Sequence, residues 1–283
     1  MIRMTTSKKF SVFFAIVISV SLGISILLYA LQMYLHSQNP NVELKPFTYT
    51  KILSRTLTLI LFCSLIWFRK KIDQKSILSL GLENFLKHKR ELLLGFLAGM
   101  ISLSFVVGTK VLFGVSTWAP KDFLFVDWMM GFYFLLTVFC IGFVEELFFR
   151  GYLLQSFVME WGEKKAVIIT SLFFSITHFI RPIHDLFALI PEILGLFLVG
   201  YALSYAWIYT RSLYLPIGIH AGWVYVVKMQ SFFVSPLPHD LHWLFGGERL
   251  VTGVVAWMFM FLFLFGLKHI FEQLLQKGEV QTS

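Results

Sequence analysis

Long runs of apolar residues, separated by short polar segments, follow one another along the whole chain. Most runs come close to the roughly 20 residues that an α-helix needs to cross a bilayer, and the fourth is longer than a simple crossing. The pattern therefore predicts an all-α, polytopic membrane protein of about eight transmembrane helices. The expected spans are residues 11–34, 52–68, 92–115, 126–158, 166–180, 186–209, 213–234 and 250–270.

The composition agrees with this reading and excludes other classes. The chain has 283 residues, of which 57% are hydrophobic and 14% are charged, whereas ordinary globular domains carry about 25% charged residues. This balance excludes a soluble domain and a disordered chain. Because the expected spans occupy most of the length, we expect a single membrane domain over residues 1–283.

The basic residues predict the orientation. The chain holds 24 Lys and Arg against 16 Asp and Glu. Many of the cations, such as those of residues 69–71, fall on the side of both termini, while Lys45, Lys51 and Lys121 fall on the other side. Positive loops stay cytoplasmic and face anionic lipid. We therefore expect cytoplasmic termini and membrane lipids as partners, with no nucleic acid. The short loops favour a bacterial plasma membrane.

The fourth span contains charged residues that an apolar helix does not need. Glu145, Glu146 and Arg150 lie in an otherwise hydrophobic stretch, where each ionisable group costs at least a few kcal/mol. Glu146 and Arg150 are four residues apart on one helix face and are expected to pair. Glu145 points about 100° away and has no partner in its own helix. Glu146 and Arg150 therefore have a supporting role, and Glu145 remains for chemistry.

Two histidines reach a comparable depth in other spans. Glu145 and His178 each lie roughly 20 Å from the turn at residues 159–165, and His220 lies roughly 12 Å from the next cytoplasmic turn, at 1.5 Å per residue. A lone intramembrane histidine is usually a packed, hydrogen-bonded residue. Three such groups at compatible depth indicate an intramembrane polar site.

This combination supports two kinds of hydrolysis. Glu145 and His178 can take a proton from water while His220 donates to a developing oxyanion. The same three side chains, two histidines and one glutamate, can instead hold a zinc ion with an open position for water. The chain has no His-Glu-x-x-His motif. The spacing therefore leaves a metal-free glutamate mechanism and a zinc site equally open.

The ordered motifs resemble those of the CPBP intramembrane proteases, the family of the type 2 CAAX prenyl proteases and bacteriocin-processing enzymes. The resemblance rests on Glu145-Glu146-x-x-x-Arg150, on Phe174-x-x-x-His178, and on His220 in the run from Leu213 to Ala221. It covers residues 131–227, which form the expected catalytic core. It implies an intramembrane endopeptidase in which Glu145 and His178 activate water and His220 supports the transition state. The substrate is expected to be a hydrophobic or lipidated peptide at the membrane.

Some residues depart from this pattern. Many family members carry Asn four residues after the last histidine, and this chain has Val224 there. The departure favours a second hypothesis, a noncatalytic membrane scaffold or immunity protein of the same fold. Glu192 in the sixth span matches no family motif, and we expect it to pair with His184 or Arg181. A third hypothesis, a proton-coupled transporter, predicts an internal repeat, and the sequence shows none.

Overall fold

The computed structural model describes residues 6–38, 47–179, 189–247 and 249–276. Almost all of them are helical, and the predicted all-α, polytopic membrane fold is confirmed. The helices are α1 (Thr6–Gln38), α2 (Tyr49–Lys71), α3 (Phe85–Leu112), α4 (Phe125–Glu146), α5 (Gln155–Trp161), α6 (Glu163–Thr177), α7 (Ile190–Thr210), α8 (Tyr214–Met229), α9 (His242–Phe245) and α10 (Val254–Gln276).

Six stretches in the described part of the chain are long and apolar enough to cross a membrane. They include α1, α2, α3, α4 with its continuation through α5, α7 and α10. The two remaining predicted spans correspond to α6, with 15 residues, and α8, with 16 residues. Both are shorter than the roughly 20 residues of a simple crossing. Their polar residues, His178 and His220, lie at the end of α6 and within α8.

The predicted fourth span is not one uniform α-helix. A π-helix, Leu147–Leu154, separates α4 from α5, and all eight of its residues are buried. Such wider turns are rare and occur frequently at functional sites. Here the change of helix type begins directly after Glu146 and includes Arg150.

A small two-stranded sheet was not predicted. Strands β1 (Ser116–Trp118) and β2 (Val234–Pro236) pair antiparallel, with Thr117 opposite Ser235. The predicted seventh span continues to residue 234, but α8 ends at Met229 and a 3-10 turn, Gln230–Phe232, leads into β2. The residues from Val234 onward pair with β1 through backbone hydrogen bonds instead of continuing the helix.

The described residues form two compact units. The first is built on α1 and α2, where the rings of Phe13 and Phe68 meet edge to face at 5.4 Å. Near the end of α2, Asp73 pairs with Lys9 at 2.7 Å and with Arg69 at 3.4 Å. The second unit contains α3 to α10 and all the residues of the expected catalytic site.

Within the second unit, α3 and α8 are in very close contact. A Cβ atom added at Gly218 would lie 2.2 Å from the carbonyl oxygen of Leu92, and one added at Gly222 would lie 2.3 Å from that of Phe96. In the other direction, a Cβ added at Gly99 of α3 would lie 2.4 Å from the carbonyl oxygen of Ile219 on α8. Only glycine permits this approach of two helix backbones. His220 lies between the two glycines of α8.

Candidate active site

Arg150 forms the buried base of the site. Its Nη1 donates to Oε1 of Glu146 at 2.7 Å, which confirms the predicted pair, and its Nη2 donates to the carbonyl oxygen of Gly200 at 3.0 Å. Both charged side chains are fully buried. The guanidinium also lies 4.7 Å from the ring centroid of Phe174 and 5.7 Å from that of Phe149. The charge is therefore held by an ion pair, a carbonyl and two aromatic faces.

Glu146 connects this base to His220. The same Oε1 that accepts from Arg150 lies 2.7 Å from Nδ1 of His220. Helix α4 approaches α8 closely at Gly142, where an added Cβ would lie 3.8 Å from Cβ of His220. Glu146 is therefore a positioning residue for the imidazole, a role that goes beyond the pair expected within its own helix.

His178 is held by its own helix. It follows the last residue of α6, and its Nδ1 lies 2.7 Å from the carbonyl oxygen of Phe174 one turn earlier. The rings of Phe174 and His178 are 4.3 Å apart between centroids. Phe174 therefore contacts Arg150 on one side and orients His178 on the other.

These hydrogen bonds assign the tautomer of each imidazole. A carbonyl oxygen can only accept, so Nδ1 of His178 carries a proton and donates it to Phe174. Oε1 of Glu146 already accepts from a guanidinium, so Nδ1 of His220 likewise donates to it. In the neutral form of each ring, Nε2 is then the atom without a proton.

Both Nε2 atoms face Glu145. Oε2 of Glu145 lies 3.6 Å from Nε2 of His178 and 3.8 Å from Nε2 of His220. These distances are longer than a hydrogen bond, and this oxygen is buried with no hydrogen-bond partner in the described part of the chain. The structure thus brings together the three residues expected to form the site.

The side chains of the site differ in exposure, and Oε2 of Glu145 itself is buried. The side chain of Glu145 is 24% exposed and that of His178 is 28% exposed, whereas Glu146 and Arg150 are 0% exposed. The reactive carboxylate and its supporting pair, although adjacent in sequence, therefore differ in access.

The zinc alternative requires Glu145, His178 and His220 to surround one metal ion. In the described ranges, no three His, Cys, Asp or Glu side chains are placed to hold a metal ion. Glu145, His178 and His220 converge but do not form a ligand set in this arrangement. The roles assigned to these side chains therefore involve no metal.

Other residues named from the sequence lie outside the site or add nothing to it. Val224 follows His220 by one turn of α8 and offers no polar donor. Glu192 pairs with Arg249, which the sequence did not predict as its partner. Its expected partners, Arg181 and His184, lie outside the described residues.

Comparison with known families gives one match, which lies over the elements of the site. Residues 127–226 match the family model described as Type II CAAX prenyl endopeptidase Rce1-like. This segment is Rce1-like. The resemblance predicted from the motifs is confirmed, because the matched range includes the double glutamate, Arg150 and both histidines. No curated protein and no solved structure matches the chain.

The match sets the general class of activity. The Rce1-like family consists of CAAX-type intramembrane proteases, and the chain is an integral membrane protein with several apolar helices. The Rce1-like segment covers α4, α6, α7 and nearly all of α8, which are the elements that carry or contact the site. At this level, peptidase activity is supported.

Proposed function

We propose that the protein is an intramembrane endopeptidase that hydrolyses a peptide bond in a membrane-associated, hydrophobic or lipidated substrate. One observation carries the proposal. Two imidazole Nε2 atoms face the same buried, unpartnered carboxylate oxygen of Glu145. Oε2 of Glu145 and Nε2 of His178 are two acceptors for the two protons of one water molecule, and Nε2 of His220 is left to support the oxyanion.

In this mechanism Glu145 is the general base. Its Oε2 takes one proton from water, and Nε2 of His178 accepts the other water hydrogen as a hydrogen bond and so orients the oxygen. The oxygen attacks the peptide carbonyl and forms a tetrahedral intermediate. When the C–N bond breaks, the proton held by Glu145 passes to the leaving nitrogen. The products are a carboxylic acid and an amine.

His220 supports the oxyanion. Its Nδ1 already donates to Glu146, so it can donate from Nε2 only when both ring nitrogens carry a proton. Glu146 lies at hydrogen-bond distance and balances the positive charge of that imidazolium, as the carboxylate does in a serine protease triad. Arg150 donates to the same carboxylate oxygen and so fixes the position of Glu146.

The substrate class follows from the surroundings of the site. Glu145 belongs to a stretch, Phe125–Trp161, that is apolar enough to cross a membrane. A peptide bond that reaches this depth must enter with an apolar or lipid-modified flanking segment, because burying free polar backbone in hydrocarbon is costly. The similarity of residues 127–226 to a CAAX prenyl endopeptidase family is consistent with such substrates.

We also propose a bacterial plasma membrane location with both termini on the cytoplasmic side. The support is the uneven distribution of Lys and Arg between the two sets of loops.

One observation favours a second candidate. Val224 leaves His220 as the only oxyanion donor of the proposed mechanism, and a noncatalytic scaffold or immunity protein would need none. The two functions differ in their dependence on Glu145. A scaffold keeps working when Glu145 is replaced by Gln, and a protease stops.

The test compares protein termini in membranes from cells that express the wild type or Glu145→Gln at equal abundance. Glu160→Gln is the matched control, because Glu160 is an exposed carboxylate on α5. We expect new termini with the wild type and with the control, and none with Glu145→Gln. Identical termini in all three samples, together with a phenotype that persists in Glu145→Gln, would contradict the protease hypothesis and favour the scaffold hypothesis.

A further inference from the structure

A large cavity lies apart from the candidate active site. It has a volume of about 1050 Å³ and is bounded by α3, α4, α8 and the two-stranded sheet. None of Glu145, His178 and His220 lines it, and its walls are almost entirely apolar. All of these elements belong to the second unit.

The cavity is elongated along the helices. On α3 it extends from Met100 to Leu112, which corresponds to about 18 Å at 1.5 Å per residue. This is close to half of a hydrocarbon core of roughly 30 Å. The cavity therefore has the length of one leaflet.

The cavity opens on the outside of the protein. Among its lining residues, Leu112 is 80% exposed, Trp128 is 68% exposed and Phe132 is 57% exposed. They lie on stretches that are apolar and long enough to span the membrane. In a bilayer, the medium in contact with such an opening is hydrocarbon.

Polar groups lie at the end of the cavity next to the two-stranded sheet. Asp127 and Gln230 line it there, beside Trp118. Asp127 accepts a hydrogen bond from the backbone N–H of Leu124 at 3.0 Å, so its charge caps α4. Indole rings at such an end are typical of the boundary between hydrocarbon and headgroups.

A cation lies at the same end. The ammonium of Lys121 is 5.3 Å from the ring centroid of Phe232. Phe232 in turn stacks on Phe123, which lines the cavity. Lys121 is exposed, and a cation near the boundary between hydrocarbon and headgroups attracts a lipid phosphate.

We propose that this cavity binds one acyl chain of a phospholipid, with the lipid phosphate beside Lys121. The length, the apolar walls, the opening towards hydrocarbon and the single polar end all match an amphiphile with a negatively charged head. This binding site is separate from peptide hydrolysis, and it persists if the proposed function is wrong.

The experiment uses the full-length protein in lipid nanodiscs that contain a phospholipid with a photoreactive diazirine in mid-chain. After irradiation, the labelled residues are mapped by peptide mass spectrometry. We expect labels on Met100, Leu135 and Met229, which line the cavity, well above those on Leu97, Ile101 and Phe105, which are exposed but do not line it. Equal labelling of both sets would show ordinary annular lipid and overturn the proposal.

A pair of glycine variants tests occupancy directly. Gly108 lines the cavity and Gly266 does not, and an added Cβ meets no atom within 4 Å at either position. We expect Gly108→Phe to reduce cavity labelling by about tenfold, because the ring displaces chain methylenes, and Gly266→Phe to leave it unchanged. The wild-type map decides the question if Gly108→Phe does not fold.

The headgroup is tested separately. We expect Lys121→Gln to reduce labelling by the phospholipid. A diazirine fatty acid serves as the competing source of an acyl chain. If it labels the cavity more strongly than the phospholipid at equal concentration, the assignment to a phospholipid is wrong.

Discussion

At the scale of single residues, the two adjacent glutamates have different environments and so different expected consequences of mutation. Oε1 of Glu146 serves both Arg150 and His220, and its side chain is fully buried. Glu145 leaves one oxygen without a hydrogen-bond partner among the described residues. A buried pair is costly to break, whereas an unpartnered carboxylate contributes little to stability.

We therefore expect Glu146→Gln to lower the free energy of unfolding by about 3 kcal/mol, because Arg150 is left buried without a countercharge. Glu145→Gln should change it by less than about 1 kcal/mol. Thermal unfolding of the purified variants in one detergent measures both. An equal loss of stability in the two variants would contradict the separate roles.

His178 allows the positioning hydrogen bond to be separated from the reactive nitrogen. An Asn side chain can replace Nδ1 as donor to the carbonyl oxygen of Phe174, but it has no atom equivalent to Nε2. We expect His178→Asn to reduce the turnover rate by about 10²-fold or more with little change in unfolding temperature. His88→Asn is the control, since His88 pairs with Glu91 away from the site.

Whether peptidase activity depends on a metal is also a question about single residues of the site. In the proposed mechanism Glu145 and His178 activate water without a metal, so we expect peptidase activity to survive exhaustive dialysis against a chelator. The measurement is the rate of peptide cleavage before and after dialysis. Loss of activity that added Zn²⁺ restores would contradict this expectation and favour the zinc alternative at Glu145, His178 and His220.

At the scale of elements, the packing of α3 against α8 determines where His220 lies. Added Cβ atoms at Gly218 and Gly222 would lie within 2.3 Å of backbone oxygens on α3, so the helices must separate to accommodate them. The site depends on contacts of a few ångströms between His220, Glu145 and Glu146. A small shift of α8 therefore changes its geometry.

We expect Gly222→Ala to lower the free energy of unfolding by about 1–3 kcal/mol, since overpacking forces the backbones apart, and to reduce cleavage activity. Gly108→Ala on α3 is the matched control, because nothing lies within 4 Å of its added Cβ. Unfolding temperature and cleavage rate are measured for both. A Gly222→Ala variant as stable and active as the control would show that this contact does not determine the site.

Some features of the helices can be predicted from the sequence and others cannot. Hydropathy located the helices, and depth along each span placed Glu145 and His178 at one level. The π-helix at Leu147–Leu154 could not be predicted, because its residues are as apolar as those of an α-helix and leave no change of pattern. The predicted spans extend beyond the ends of α6 and α8 for a similar reason, since the apolar runs continue into the following turn and into β2.

The contacts that hold the site were also beyond prediction from sequence. The pair of Glu146 and Arg150 follows from their spacing, but the link from Glu146 to His220 joins residues 74 positions apart. The carbonyl of Gly200 is a backbone group with no side-chain signal. Arg249 meets Glu192 across 57 positions. Such contacts depend on how the helices pack, which periodicity does not specify.

At the scale of the whole molecule, orientation is the main expectation still to be measured. The distribution of Lys and Arg predicts that both termini are cytoplasmic. We expect a fluorescent protein fused at either end to fluoresce and alkaline phosphatase fused there to be inactive. Active phosphatase at one end would reverse the assignment for that terminus.

The central claim concerns Glu145 and the bond that is hydrolysed. Its most direct measurement is the rate at which purified wild type, Glu145→Gln and Glu160→Gln cleave a peptide that carries a cut site identified in membranes. The account predicts that Glu145→Gln is slower by at least about 10²-fold, while Glu160→Gln stays within about twofold of the wild type. Cleavage by Glu145→Gln at the wild-type rate would contradict the account.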